Sequence, residues 1–439
     1  MIKGDSLERM CGFVVDNPQI IKGIYRTANY NDEPQLYQYS SQFVEGNTTK
    51  TSVDSIASGT SFVKDRALLK VLGETLERYS LGVYQKKEFV TASYDDLKKN
   101  SKNAVNPGKL YLFLYSSGEV EYFSNEDLVS TRLRWVRGVL SRTDRRIFVP
   151  AQLVYIPYKN LQSEPMLQMP ISTGAAAGEN ISDALYRGIC EIIERDSFMI
   201  HYYNRINSPA VDLRSLGSDE ILQITKQISR YNLEVYVNDI TTEIGIPAFV
   251  AIVVDRSGLG PAVSIGLKAG FEIEQDIVGA IEEALMVRSW IRDEHVYGLT
   301  KKTSINNKII RSIEDRAAYW FPVDTIKYLD FWTKSKMLAK LQVSTKKSFS
   351  VSKKRVQIII DQLEKRGHEV IHVEITAPIV AKYGFKVVKV FIPSLQALHL
   401  DEKYSYLNYP RLRNAPVTMG IYRKPKSMSE INKIPHPFL

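Results

Sequence analysis

The chain has 439 residues, with 58 Lys and Arg against 49 Asp and Glu for a formal charge of +9, and is 44% hydrophobic and 24% charged. That ordinary globular composition excludes a disordered chain, a coiled coil and a disulfide-stapled mini-protein. Two cysteines and six histidines are too few for a disulfide framework, a cysteine-rich zinc site or a histidine-based metal centre.

The opening MIKGDSLERM has no apolar core of a signal peptide. No window approaches roughly eighteen consecutive apolar residues, so no membrane span is expected and a cytoplasmic chain is. The positive charge is dispersed and no nucleic-acid-binding motif accompanies it, so no nucleic-acid partner is expected.

The hydrophobic pattern is mixed α/β throughout. The spacing of Leu68, Leu69, Leu72, Leu76 and Tyr79 predicts a helix over Lys64 to Tyr84. β-like runs follow at Leu110 to Tyr115 and Arg146 to Tyr155. A second helix is predicted from Ser182 to Tyr203, with Asn180 or Ser182 as its cap and Ile181, Leu185, Ile189, Ile192 and Ile193 as a buried stripe. Strand-like runs occupy Glu234 to Val237 and Ile246 to Val254, and a third helix spans Asp276 to Arg292. Beyond a Lys/Ser-rich loop at Ser344 to Lys354 come a helix at Val356 to Arg366 and strands at Glu369 to Val373 and Lys386 to Ile392.

Two internal echoes stand out. Glu74-Thr75-Leu76-Glu77-Arg78 and Glu191-Ile192-Ile193-Glu194-Arg195 are both Glu-x-x-Glu-Arg on a predicted helix. The segments beginning at Glu234 and Glu369 each pair a strand, a Thr-containing turn and a second strand. Their separation is too long for a solenoid and fits two related β-α lobes.

Glutamates three apart share a helix face. Two such helices facing one another would gather Glu74, Glu77, Glu191 and Glu194, four anions that repel unless a cation joins them. All-oxygen ligands favour a hard ion, Mg2+ or Ca2+, over zinc, and Mg2+ commonly bridges to substrate phosphates. Arg78 and Arg195 would contact phosphate oxygens or orient the carboxylates. A single Glu-x-x-Glu-Arg reads as a solvated face with local ion pairs; its recurrence in two apolar-striped helices leaves that reading and a shared site equally open. A third helix adds Glu282, Glu283, Arg288 and Arg292, a pattern that helix-dipole complementarity also explains. Ser58-Gly59-Thr60-Ser61 and Ser172-Thr173-Gly174-Ala175-Ala176-Ala177-Gly178 read as small-residue turns before the first two helices, or else as loops that offer backbone N–H groups to phosphates. Neither is a Walker A or a dinucleotide fingerprint.

Together the blocks ASGTSFVKDRALLKVLGETLERYS, MPISTGAAAGENISDALYRGICEIIERDS and VSIGLKAGFEIEQDIVGAIEEALMVRSWIR resemble the YcaO superfamily. VDNPQII, FVPAQLVYIPY, VNDITTEIGIPA, VVKVFIPSLQALH and the final PHPFL extend the resemblance over nearly the whole chain. Within the superfamily it is most similar to the azoline-forming cyclodehydratase D proteins of ribosomal peptide biosynthesis.

The resemblance implies an α/β (α+β) YcaO-type fold of two related β-α lobes with an ATP site between acidic helices. Residues 56–410 would form the catalytic domain, 1–55 an N-terminal segment and 411–439 a C-terminal segment. Glu74, Glu77, Glu191 and Glu194 match the Mg2+-binding carboxylates, Arg78 and Arg195 the adjoining arginines, and Glu283 and Arg288 a further nucleotide or metal contact. The implied reaction begins when a Cys, Ser or Thr side chain of a precursor peptide attacks the preceding backbone carbonyl. ATP phosphorylates the resulting oxyanion, and elimination of phosphate gives a thiazoline or oxazoline. Pro435 and Pro437 would stiffen the approach of the Leu439 carboxylate, placed to help proton transfer.

The family also implies a separate ThiF-like leader-binding partner, a homodimer and in some pathways a flavin dehydrogenase. A thioamide-forming YcaO enzyme, a non-catalytic YcaO scaffold and a basic nucleic-acid-binding module are the competing readings. Three departures from the family pattern are Lys70 in place of a common Ser, Met286 in place of a frequent Gln, and Leu439 in place of a terminal Pro. Lys70 and Glu74, four apart, also suit an ion pair.

Overall fold

A computed structural model describes residues 4–44, 56–111, 125–161, 164–296, 298, 310–341 and 353–439. Its elements begin with α1 (Gly4–Val15), β1 (Ile21–Thr27), β2 (Tyr37–Phe43), β3 (Ile56–Ser61), α2 (Lys64–Gly82) and β4 (Val90–Ala92). Next come α3 (Tyr94–Lys99), α4 (Pro107–Tyr111), α5 (Asn125–Ser130), β5 (Leu133–Leu140), β6 (Arg145–Pro150), β7 (Ala175–Gly178) and α6 (Ile181–Asn204). The middle of the chain gives α7 (Asp219–Ser229), β8 (Leu233–Asp239), β9 (Ala248–Asp255), β10 (Val263–Ala269), α8 (Ile273–Val296), α9 (Ile313–Trp320) and α10 (Asp330–Thr333). Last are α11 (Lys353–Glu364), β11 (Ile371–Glu374), α12 (Pro378–Lys382), β12 (Lys386–Phe391) and α13 (Pro410–Thr418).

Two compact units divide the chain. The first comprises Met1–Thr27, Tyr37–Ile192 and Ser348–Ser394; the second comprises Ala28–Leu36, Ile193–Lys347 and Leu395–Leu439. The division falls inside α6.

The first unit holds a three-stranded sheet in the order β1-β2-β3 and a larger sheet ordered β4-β5-β11-β12-β7, with β6 also on β5. All these pairings are antiparallel. One apolar core, including Phe13, Val71, Leu76, Trp135, Val149 and Val387, runs through the unit. On α2 the buried face is Ala67, Val71, Leu72, Thr75, Leu76, Ser80 and Leu81, while Leu68 and Leu69 pack only partly against the core. The inward stripe is thus rotated from the one expected, towards smaller residues.

Close approach of helix to strand is the reason. A Cβ on Gly59 of β3 would lie 2.3 Å from the Val71 amide nitrogen and 2.4 Å from the Ala67 carbonyl oxygen. Ser58–Ser61, read as a turn from its small residues, is strand, and Gly59 within it is where the helix backbone lies close. β7 repeats the arrangement, since a Cβ on Gly178 would lie 2.5 Å from the Ala184 nitrogen of α6.

In the second unit the sheet order is β10-β9-β8, antiparallel throughout, and β9 is buried along its whole length. α8 covers it, and a Cβ on Gly266 of β10 would sit 2.2 Å from the Ala280 carbonyl oxygen. Three strand–helix pairs, β3 with α2, β7 with α6 and β10 with α8, thus share a glycine contact. The second echo is real as well: β8–β9 and β11–β12 are both antiparallel pairs.

The strand expected at Leu110 to Tyr115 begins instead as α4, where Pro107 at the first position is pre-organised for a helix; residues 112–115 lie outside the described set. The Ser344 to Lys354 loop also lies outside it up to residue 352, and Lys353 and Lys354 open α11. The run at Arg146 to Tyr155 is shortened, because the chain leaves β6 at Pro150 and makes a helical turn over Ala151–Leu153.

Candidate functional site

Each carboxylate motif sits on a helix whose preceding strand or loop offers a main-chain amide. On α2, Glu74 Oε2 accepts from the Ser58 N–H at 2.8 Å. On α6, Glu191 Oε2 accepts from the Gly174 N–H at 3.0 Å. On α8, Glu283 Oε2 accepts from the Leu267 N–H at 2.5 Å. The amide precedes its glutamate by 16, 17 and 16 positions respectively. The second glutamate of the first motif, Glu77, accepts from the Ala177 N–H of β7 at 2.9 Å. Helical spacing puts the glutamates on one face; the strands fix where that face points.

Three of the expected residues, Glu74, Glu77 and Glu191, come together in the first unit. Burial is the main force on Glu77 and pushes its carboxyl up to about 8, although the Ala177 amide favours its ionised form. The nearby Glu191 and Glu74 carboxylates push it further in the same direction, while Arg187 opposes them. Glu77 is therefore an acid that stays protonated near neutrality until positive charge arrives. An all-oxygen set with fixed orientation and excess negative charge fits a hard divalent cation.

The two motif arginines differ in what they do. Arg78 folds back on Glu74 and donates to Oε1 from Nε at 2.8 Å and from Nη2 at 2.7 Å. Arg195 in the second unit lies over the Phe438 ring, 4.1 Å from its centroid, with its Nε 3.9 Å from Glu194. Glu194 itself is buried. Lys70 donates to the Thr60 carbonyl at 2.9 Å.

Arg288, expected near nucleotide or metal, is 3% exposed and anchored by acids. Its guanidinium donates to Glu33 Oε2 at 2.8 Å, Glu33 Oε1 at 2.9 Å, Asp255 Oδ2 at 2.8 Å and the Pro261 carbonyl at 2.7 Å. Arg292 adds contacts to Glu33 and Asp32.

The final residues do not fray. His436 and Phe438 are buried, and Leu439 packs against Val287, Ile291 and Ala317. Pro435 O accepts from Tyr202 Oη at 3.0 Å and Trp320 Nε1 at 3.1 Å, and His436 O accepts from fully buried Arg316 at 2.7 Å. The His436 ring bonds the His399 carbonyl at 2.6 Å. Burial, reinforced by Arg316 and then His399, holds His436 well below the usual histidine range. His399, Glu402 and His436 are grouped closely enough to suggest a metal. Arg316 already satisfies Glu402 at 2.9 Å, so this group is not short of positive charge.

The family model described as YcaO cyclodehydratase, ATP- and Mg2+-binding, matches residues 58–396. The chain belongs to the YcaO family. A protein of Methanothermobacter thermautotrophicus, named only as uncharacterized, is 24% identical to this YcaO chain over 366 residues, 81% of this chain and 85% of that one. Among solved structures, a heterocyclase in complex with substrate and cofactor superposes with a TM-score of 0.78 at 20% identity, over 99% of this chain and 57% of the heterocyclase. The chain thus spans little more than half the length of that enzyme. YcaO from Methanopyrus kandleri, bound with AMPPCP and Mg2+, matches with a TM-score of 0.62 at 15% identity over 90% of this chain and 91% of that one. At these identities the structures show the YcaO fold.

Several residues of this YcaO protein escaped the sequence reading. Glu33 pairs with Arg288 across 255 positions of sequence, and Arg411 with Asp196 across 215. Lys389 is buried in β12. A lysine inside the apolar run KVVKVF was the one visible signal among them. Among the described residues, no helix is long and apolar enough to cross a membrane.

Proposed function

We propose that this YcaO protein is an ATP-dependent cyclodehydratase that activates a backbone amide of a ribosomal precursor peptide and closes a thiazoline or oxazoline at Cys, Ser or Thr. The observation that carries the reading is the trio Glu74, Glu77 and Glu191. Each has an oxygen fixed by a main-chain amide, and Glu77 is pushed up to about 8 by burial among carboxylates. Such a trio is ready for a divalent cation. The family description, ATP- and Mg2+-binding, supports the same assignment.

In this reading Glu74, Glu77 and Glu191 hold Mg2+. Bound there, Mg2+ would supply the positive charge that neutralises nucleotide phosphates during phosphoryl transfer. The chain's own task is positioning. The Ser58, Gly174 and Ala177 amides set the carboxylates before substrate arrives, so little reorganisation is left for the reaction itself. Arg78 orients Glu74, Arg288 stabilises the helix that carries Glu283, and Arg195 joins the α6 motif to the tail. The Leu439 carboxylate accepts the proton from the attacking side chain, with Pro435 and Pro437 limiting its freedom. The fixed carbonyls of Pro435 and His436 support that role.

The neighbour solved with substrate and cofactor is a heterocyclase, which supports ring formation by analogy. A ThiF-like leader-binding protein, assembly as a homodimer and a later-acting flavin dehydrogenase are the partners that fit this reading. Incubating the protein and its partner with a candidate precursor, ATP and Mg2+ tests it. Loss of one water per modified residue, with ADP and phosphate in equal amount, is the expected outcome. ATP consumption without a change in peptide mass would contradict it.

A further inference from the structure

Lys389 has no part in the chemistry above, yet it occupies an unusual position. It lies in β12 between Val388 and Val390, in a run buried from Val387 to Val390, and is itself 2% exposed. A lysine in such surroundings is costly unless its ammonium is well bonded. Burial lowers its affinity for the proton to about 8, with the neighbouring Glu191 carboxylate pulling the other way. Its Nζ donates to the Ile171 carbonyl at 2.6 Å and the Thr173 carbonyl at 2.8 Å.

Those carbonyls belong to the segment that carries the Glu191 clamp. One residue along β12, the Val390 N–H donates to the Gly174 carbonyl at 2.7 Å. Gly174, at φ +85, donates its own N–H to Glu191 at 3.0 Å. A Cβ on Gly174 would stand 2.4 Å from the Val390 carbonyl oxygen, so the segment is pressed against β12 with no slack. β12 also pairs with β7, whose Ala177 amide holds Glu77. A side chain and a main-chain amide of one strand therefore grip the segment that orients Glu191.

We propose that Lys389 is a positioning residue of the carboxylate site: by tying Ile171 and Thr173 to β12 it holds the Gly174 amide on Glu191, and divalent-cation binding depends on it. The proposal rests on the reading of Glu74, Glu77 and Glu191 as the cation-binding group. Lysine acts here from outside the ligand set, as residues that hydrogen-bond the surroundings of metal ligands generally do.

The test is calorimetric titration of the full-length protein with a non-hydrolysable ATP analogue at a series of Mg2+ concentrations. Wild type, Lys389→Met, Lys389→Arg, Glu191→Gln and the Lys389→Met/Glu191→Gln double variant are compared. Methionine matches the volume of lysine and suits the apolar strand. Lys389→Met is expected to raise the Mg2+ concentration for half-maximal nucleotide binding about tenfold, in the range seen when a metal ligand loses its outer support. Lys389→Arg keeps the charge but shifts both carbonyl contacts, and a smaller rise in the same direction is expected. In the Glu191→Gln background the Lys389→Met effect should vanish.

Wild-type Mg2+ dependence in folded Lys389→Met overturns the proposal. If Lys389→Met does not fold, wild-type dependence in Lys389→Arg overturns it equally. A Lys389→Met effect that persists undiminished without Glu191 also overturns it, because a merely structural lysine would behave so. Should Glu191→Gln leave Mg2+ dependence untouched, the cation-site reading falls and takes this proposal with it. Should Glu191→Gln abolish the dependence while both Lys389 variants match wild type, only the Lys389 assignment falls.

Discussion

The guanidinium of Arg195 lies 4.1 Å from the centroid of the Phe438 ring, so the arginine that ends the second Glu-x-x-Glu-Arg motif is capped by the chain's penultimate residue. Its counterpart Arg78 instead closes on Glu74 at 2.7 Å. The same motif on two helices thus serves two ends, one orienting a carboxylate and the other fixing the tail.

Phe438→Ala should be among the more damaging substitutions in the second unit. Phe438 is 2% exposed and also packs 5.8 Å from the Phe198 ring. Truncation should cost about 3–5 kcal/mol, the range for large buried aromatics. Urea denaturation of Phe438→Ala and Phe438→Leu measures it, and the leucine variant should recover much of the loss. Wild-type stability in the alanine variant would show that the tail is not packed as described.

Glu77 makes apo-protein stability depend on pH in an unusual direction. Its folded value near 8 lies above its ordinary value of 4.5, so the native state binds more protons than the unfolded state between those limits. Stability from this group therefore falls as pH rises from about 4.5 to about 8 and is level beyond. Glu77→Gln should flatten that slope. Added Mg2+ should stabilise wild type most at the alkaline end. Thermal melts across this pH range, with and without Mg2+, check both expectations.

Two glycines, Gly59 in β3 and Gly73 in α2, should respond oppositely to alanine. At Gly59 a Cβ meets Val71 and Ala67 backbone atoms at 2.3 and 2.4 Å, so Gly59→Ala forces α2 from β3 and should cost about 1–3 kcal/mol or more. At Gly73, within α2, a Cβ meets nothing within 4 Å. Gly73→Ala should stabilise by about 0.5–1 kcal/mol through helix propensity. Denaturant midpoints for the pair provide the check.

What the sequence disclosed follows from the range of the forces involved. Helix spans and the four motif glutamates show in local periodicity, and α2, α6 and α8 fall within a few residues of expectation. Asn180 caps α6 as one of the two expected candidates, its Oδ1 accepting from the Asp183 N–H at 3.0 Å. Ser58–Ser61 misled because small residues signal a turn locally, whereas here Gly59 admits a helix backbone. The amide clamps on Glu74, Glu77, Glu191 and Glu283 were invisible, since strand register determines them. Glu33 on Arg288 and Arg316 on His436 were likewise hidden, because no local pattern records a partner 255 or 120 residues away.

Arg316→Ala should destabilise the second unit by about 3–5 kcal/mol, as it breaks a buried ion pair and leaves Glu402 with His399 alone. It should also free the tail, since Arg316 holds His436 O. Carboxypeptidase release of Leu439, slow in wild type and fast in the variant, is a readout that needs no activity. Equal rates of release would contradict the anchoring role.

The central claim is that Glu74, Glu77 and Glu191 form a divalent-cation site serving ATP. Calorimetric titration of a non-hydrolysable ATP analogue into wild type and Glu191→Gln, with and without Mg2+, tests it most directly. The account predicts tight binding by wild type only when Mg2+ is present, and loss of that dependence in a Glu191→Gln protein that still melts cooperatively. Binding by wild type that is indifferent to Mg2+, or Mg2+-dependent binding that survives intact in Glu191→Gln, would contradict it.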